Sequence, residues 1–274
     1  MDRPAIESEL RAFFGFHELP FTKSSRASEP FFTDAFNEAL ERLSYLAERR
    51  GIGALIGEPG SGKSTLLHFF LRSFSRATHA ICYVEHTRCT SLDLLRAIAR
   101  GFGITARYRK VDVLADLEER IVRLSREKRI QPILVLDEAH LLAPSALDEI
   151  RLLTSFEEDT REDLTLLLSG HPQLISKLTL AVNDALAQRV VLRIKMENLD
   201  RQQVERYIEF RLEMAGRTAG LFLPDAIEAI VRASRGIPRV IDGLCELSIL
   251  HAWKGKRLEI DAELVSVAVD EYRP

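Results

Sequence analysis

The sequence predicts an α/β protein, with a parallel sheet flanked by helices and then an all-helical C-terminal domain. Three observations carry this. A short apolar run, Ile52–Ile56, leads into a glycine-rich loop and then into a helix with a broad apolar face, the order a phosphate-binding strand–loop–helix unit requires. Further on, a second apolar run, Ile133–Leu136, ends in two carboxylates, Asp137 and Glu138, and reads as a parallel strand buried on both faces. After residue 196 strand patterns give way to helical ones.

Composition fits a folded, core-forming chain. Of 274 residues, 46% are hydrophobic and 29% charged. A net charge of −3 does not suit a protein that coats nucleic acid electrostatically, though a local basic strip is compatible with it. Charges at Asp2, Arg3, Glu7 and Glu9 interrupt the start before an apolar leader builds up, and no stretch approaches the ~20 apolar residues of a membrane span. A soluble, cytoplasmic protein is expected. Three cysteines suit a reducing compartment. Cys82, His86 and Cys89 lie close together, but structural zinc takes four ligands and no second pair follows at useful spacing; a strand end is the better reading.

Taken in order, residues 1–50 form an N-terminal segment expected to pack on the core. Phe14-Gly15-Phe16 and Pro20-Phe21 break its periodicity before a helix over 34–49. Phe21 either plugs a core or walls an adenine. The α/β core spans 51–196. Strands are expected at 51–56, 80–84, 132–136, 164–168 and 190–194, and helices at 91–102 (capped by Thr90 or Ser91), 113–128, 144–156 and 173–187. The loop 103–112 gathers Arg107, Arg109 and Lys110 around Tyr108. A helical domain follows at 197–274, with helices near 201–215, 225–235, 238–253 and 261–270. Asp200 with Gln203 forms a capping-box pattern at the first of these.

The chemistry concentrates in two motifs. Gly57-Glu58-Pro59-Gly60-Ser61-Gly62-Lys63-Ser64, followed by Thr65, is a complete phosphate-binding loop. Its backbone N–H groups and the helix N-terminus would hold nucleotide phosphates, with Lys63 on the β/γ-phosphates and Ser64 on Mg²⁺. Asp137 would complete the Mg²⁺ site and Glu138 would orient and deprotonate the attacking water. A third polar-ended strand, Leu164–Pro172, offers Ser169 or His171 to the γ-phosphate or that water.

Together these motifs resemble the AAA+ ATPases: a P-loop core carrying a C-terminal helical lid. More narrowly the chain is similar to the ExeA/GspA-type ATPases and to the TnsC/TniB/IstB-like regulators of DNA transposition. The carrying residues include Leu19-Pro20-Phe21, the loop 57–64, Leu136-Asp137-Glu138-Ala139-His140, Ser169-Gly170-His171-Pro172, Gln188-Arg189 and Gly236-Ile237-Pro238-Arg239. His171 departs from the pattern, since relatives commonly carry Gln there. The resemblance implies that Arg189 is an arginine finger offered to a neighbouring subunit's ATP, with Arg161 as a rival, and that Arg239 senses the γ-phosphate. A finger acting in trans implies head-to-tail rings or helical filaments. The transposition reading adds double-stranded DNA, gripped by Arg107, Arg109 and Lys110, and a recruited transposase. The secretion reading instead implies an energy-coupling ATPase whose relatives continue into a membrane helix. The chain stops at Pro274 without one, which favours the transposition role as the expectation. A nucleotide-gated switch that hydrolyses poorly is a third reading.

Overall fold

The structure, a computed structural model, describes residues 3–22, 29–85, 87–105, 107–154, 163–217 and 220–272. The chain divides into two compact units. One holds Asp34–Pro59 and Leu66–Met196; the other holds the chain before Asp34, the stretch Gly60–Thr65, and everything from Glu197. The helices in chain order are α1 (Arg3–Phe14), α2 (Asp34–Arg49), α3 (Lys63–Arg72), α4 (Ser91–Gly101), α5 (Lys110–Val122), α6 (Pro144–Leu153), α7 (Gln173–Leu178), α8 (Asp184–Ala187), α9 (Arg201–Met214), α10 (Pro224–Ser234), α11 (Pro238–Lys254) and α12 (Ala262–Glu271).

Five strands, β1 (Ile52–Ile56), β2 (His79–Val84), β3 (Gln131–Leu136), β4 (Thr165–Gly170) and β5 (Val190–Lys195), build the sheet of the first unit. All pair in parallel, in the order β2-β3-β4-β1-β5. Alternate side chains of the central strands serve two cores. Ile52, Ala54 and Ile56, with Leu134, Leu136, Leu166 and Leu168, pack against α4, α5 and α6. Leu55, Ile133, Val135 and Leu167 pack with Leu43 and Leu46 of α2 and Leu66, Leu67 and Phe70 of α3. Burying each such side chain contributes roughly 1.5–3 kcal/mol. Thr90 caps α4 by accepting from the Asp93 N–H, as expected.

Two boundaries differ from the sequence reading. Helix 113–128 begins three residues early, so Lys110 stands in its first turn rather than in a loop, and it ends in a π-turn over Arg123–Glu127. The expected single helix over 173–187 is broken into α7, a 3₁₀ turn at Ala181–Asn183, and α8, because the buried Asn183 amide folds back to donate to the Lys177 carbonyl (2.8 Å).

The second unit corrects the expected domain scheme. Residues 1–50, expected to pack on the core as an N-terminal segment, divide between the two units. Helix α2 belongs to the sheet, whereas the chain before it shares a core with α9–α12. Leu10 and Phe14 of the unforeseen helix α1 are buried there with Phe16, Phe21, Val204, Ile208 and Ile241. Their i, i+4 spacing is helical, but the neighbouring aromatics obscured it. Two backbone ties fix the segment: the His17 N–H donates to the Ala215 carbonyl (2.8 Å), and the Arg217 guanidinium donates to the Phe14 carbonyl (3.1 Å). The Asp200–Gln203 capping box forms.

Gly236 pins the turn between α10 and α11. It adopts φ +73°, its carbonyl accepts from the Leu199 N–H at 2.9 Å, and a Cβ there would lie 1.9 Å from the Leu199 carbonyl oxygen. A left-handed conformation alone costs a residue with a side chain about 1–2 kcal/mol, and the clash adds to it. Gly236→Ala is therefore expected to destabilise the protein by at least ~2 kcal/mol, a fall of several degrees in Tm. Thermal unfolding followed by circular dichroism measures this; an unchanged Tm refutes it.

Candidate functional site

The phosphate loop leaves the end of β1, where the Gly57 N–H donates to the Gly170 carbonyl at 3.2 Å. Gly60 and Gly62 both take positive φ (84° and 95°), and the turn delivers the chain to the first residue of α3. Lys63 is only 5% exposed, and the Ser61 hydroxyl is buried without a hydrogen-bond partner among the described residues. Ser64 and Thr65 stand exposed in the first turn of the helix, and Pro59 is exposed at the tip of the loop. A buried orphan hydroxyl, a sequestered cation and a helix N-terminus are together suited to a polyanion such as nucleotide phosphate. Gly60 also admits a close neighbour. The Arg239 N–H donates to the Gly60 carbonyl (3.3 Å), and a Cβ on Gly60 would come within 2.6 Å of the Arg239 Cβ. Thus Arg239, its side chain exposed in the first turn of α11, lies against the loop.

The second group lies at the C-terminal ends of β2, β3 and β4, where open α/β sheets place ligands. Parallel register sets Tyr83 beside Val135 and Leu136 beside Leu168, so the residues that follow converge. Asp137 is 6% exposed, and three donors fix its carboxylate. The Tyr83 hydroxyl donates to Oδ2 (2.6 Å), while the Ser169 hydroxyl (2.7 Å) and the Glu138 N–H (3.0 Å) donate to Oδ1. Burial, and then this bond and the surrounding carboxylates, hold the Tyr83 phenol well above its ordinary pKa, so it acts as a donor only. Ser169, fully buried, is thereby committed to Asp137 rather than turned outward. Its hydroxyl orients the carboxylate that the Mg²⁺ role requires, and a carboxylate with two oxygens so fixed suits a hard cation.

Glu138 follows in the left-handed region (φ 52°, ψ 34°). Its carbonyl accepts from the Thr87 hydroxyl at 2.7 Å. Its side chain faces two stacked imidazoles, with Oε2 3.4 Å from both His140 Nδ1 and His171 Nε2. His171 therefore stands at the proposed base. Tyr83 and Thr87 escaped the sequence reading, and His140 was noted there only within a motif, because each comes from a different element and the fold brings them together.

Other expected residues fall elsewhere. Arg189 is half-buried after α8, and its Nη1 donates to the Thr154 carbonyl (2.8 Å). Arg161, the rival finger, lies outside the described residues, as does His86. Phe21 is 1% exposed and packs edge-on against Phe222, so the core reading holds for it. Cys82 is buried in the core with its thiol pushed up to about 12 by burial, which does not suit a metal ligand. Arg107 pairs with Asp116 (2.8 Å) and Lys110 with Glu149 (2.6 Å), while Arg109 is exposed. Arg107 and the 88%-exposed Tyr108 line a cavity of about 610 Å³ together with Arg96 and Arg100 from α4, two cations the sequence reading did not single out.

Residues 46–178 match the family model of an AAA domain. The chain is 34% identical over 247 residues to general secretion pathway protein A of Aeromonas hydrophila, aligned over 88% of this chain and 44% of that protein. It thus spans less than half the length of the curated relative. Among solved structures it resembles Cdc6p from Pyrobaculum aerophilum (TM-score 0.72, 21% identity, 92% of this chain and 70% of that one). It also resembles the ORC1 protein of Aeropyrum pernix in complex with DNA (TM-score 0.68, 20% identity, 92% and 68%). Phosphate loop, fixed Asp137, parallel sheet and helical C-terminal unit agree with these likenesses: residues 46–178 match an AAA domain, and the chain has the P-loop AAA+ fold.

Proposed function

We propose that the chain hydrolyses ATP with the phosphate loop and the carboxylates of β3 acting on one nucleotide, and that it does so as an assembly of like subunits. The observation that carries this is Asp137, a buried carboxylate held by three donors at the end of a strand buried from Pro132 onward. Lys63 and the loop N–H groups bind the β- and γ-phosphates. Mg²⁺, held by Ser64 and Asp137, would supply charge neutralisation between those phosphates. Glu138 accepts the proton of the attacking water, and Arg239, seated on the loop, reads the γ-phosphate. Arg189 reaches the ATP of a neighbouring copy, so that hydrolysis depends on head-to-tail assembly.

For the cellular role we infer the ATPase module of a secretion-type, energy-coupling protein. The likeness to general secretion pathway protein A supports this over most of the chain. The transposition role, with its transposase partner, draws no support from the relatives named above, and where the chain stops is no argument for it. A DNA-bound assembly is the second reading. It is favoured by the arginine-lined cavity beside Tyr108 and by a fold shared with a protein solved on DNA.

Three predictions follow from these assignments. Lys63→Ala abolishes ATP binding, whereas Glu138→Gln keeps binding and loses about 10²–10⁴-fold in turnover; fluorescent-nucleotide titration beside phosphate release separates the two, and unimpaired turnover in Glu138→Gln removes the base assignment. Arg189→Ala binds ATP and hydrolyses it roughly 10³-fold more slowly or worse. Mixing it with Lys63→Ala restores turnover if the finger works in trans; no recovery assigns that role elsewhere. Sedimentation with random duplex DNA in ATP, a non-hydrolysable analogue and ADP decides between the cellular readings. Triphosphate-dependent binding, weakened and given a flatter salt slope when Arg96, Arg100, Arg107 and Arg109 become Ala, supports the DNA reading. No binding in any state leaves the secretion reading.

A further inference from the structure

We infer that the arginine-lined cavity beside α4 takes an unpaired nucleic-acid base, stacked on Tyr108, with the flanking phosphates on Arg100 and Arg107. This rests on the DNA reading above and adds that the strand bound here is single. Tyr108 is 88% exposed, and the Arg96 guanidinium stands over its ring, 6.0 Å from the centroid. A ring backed by a guanidinium and still open to solvent is a platform for one further flat group. Duplex DNA has no base face to offer it, because each is covered by its neighbours in the stack. A splayed single strand presents its bases freely, with a phosphate on either side of each.

The platform is held from beneath. Arg96 Nη2 donates to the Tyr108 carbonyl (3.1 Å), so one side chain of α4 supports both the ring and the backbone that carries it. The start of the loop is tied to the core. The Ile104 N–H donates to the Ala99 carbonyl (2.8 Å), the Ile104 side chain packs against the core beneath α4, and Arg120 Nε donates to the Phe102 carbonyl (3.1 Å). A volume of about 610 Å³ falls within the ~300–1,000 Å³ of small-ligand sites, enough for one nucleotide. Among the described residues, none that lines the cavity is acidic. Its arginines divide the work. Arg96, also 3.9 Å from Asp93, serves the ring. Arg100 is exposed, and Arg107 is bound only to Asp116 across a largely exposed pair that a phosphate can replace at small cost.

The test uses the full chain with a non-hydrolysable ATP analogue and a short labelled oligothymidylate, which forms no duplex. Fluorescence anisotropy over a range of salt follows binding, and circular dichroism verifies each variant's fold. The strand is expected to bind more tightly than a duplex of the same length. Tyr108→Ala weakens it about 5–100-fold with the salt slope unchanged, whereas Tyr108→Phe stays within about twofold of the wild-type chain. Arg107→Ala instead flattens the slope by about 0.7. A strand of abasic residues with the same phosphates binds the wild-type chain as weakly as oligothymidylate binds Tyr108→Ala. Duplex bound as tightly as the strand, with Tyr108→Ala without effect, overturns the stacking site and leaves the DNA reading standing. No binding of strand or duplex overturns both. Thymidine monophosphate that competes as well as the strand assigns the cavity to a free nucleotide and overturns the single strand as its ligand.

Discussion

Strands β1, β3 and β4 are buried on both faces, and this constraint shapes the rest of the sheet unit. A strand that feeds two apolar cores has no side-chain position to spare for chemistry along its length. Polar function is pushed to the ends, where the chain leaves the sheet. In β3 every residue after Gln131 is buried and apolar up to Leu136, and Asp137 is the first polar group. It stays near the low-dielectric interior, so its carboxylate must be satisfied locally. Parallel register supplies the donors, Tyr83 one strand away on one side and Ser169 on the other. The same packing that stabilises the sheet therefore fixes the orientation of the proposed metal-binding carboxylate, without a dedicated scaffold.

The basic loop shows a different balance. A chain of net charge −3 attracts no polyanion as a whole, and Arg107 and Lys110 are already paired with carboxylates. Such partly exposed pairs contribute only about 0–1 kcal/mol each. A phosphate could therefore replace Asp116 beside Arg107 at small cost, whereas Glu149, largely buried beside Lys110, would lose its partner on a desolvated face. This separates the two cations. Arg107, with Arg96, Arg100 and Arg109, suits an exchangeable anion surface, and Lys110 is better understood as the structural partner that lets Glu149 lie within the packing of α6. In the sequence the three cations looked equivalent, because their partners arrive from elsewhere in the chain.

What was legible in the sequence was whatever depends on local pattern. The phosphate loop, the Asp137–Glu138 strand end, the helix over 34–49 and the capping box at Asp200 all announce themselves within a few residues, and the structure forms each of them. Less legible was anything decided by distant partners. The N-terminal aromatics looked like a core plug or, for Phe21, an adenine wall, without showing which core; Phe14, Phe16 and Phe21 complete the core of α9–α12, with residues more than half the chain away. Ser169 looked like a sensor turned outward, and only the position of Asp137 shows why it faces inward. His140 drew notice as part of a motif, but nothing in its surroundings in sequence placed it on the ring of His171.

The contact between Gly60 and Arg239 gives the helical unit a mechanical interest of its own. Gly60–Thr65 groups with the C-terminal helices rather than with the sheet that flanks it in sequence. The reason is visible at one residue: without a Cβ at Gly60, the backbone of Arg239 and the side chain of Ile237 approach the loop directly. A ligand can shift a conformational equilibrium only by the difference in its affinity for the two states. An anion bound by the loop N–H groups touches the element on which the first turn of α11 rests. The glycine is thus required twice over, once for its positive φ and once for the space it leaves.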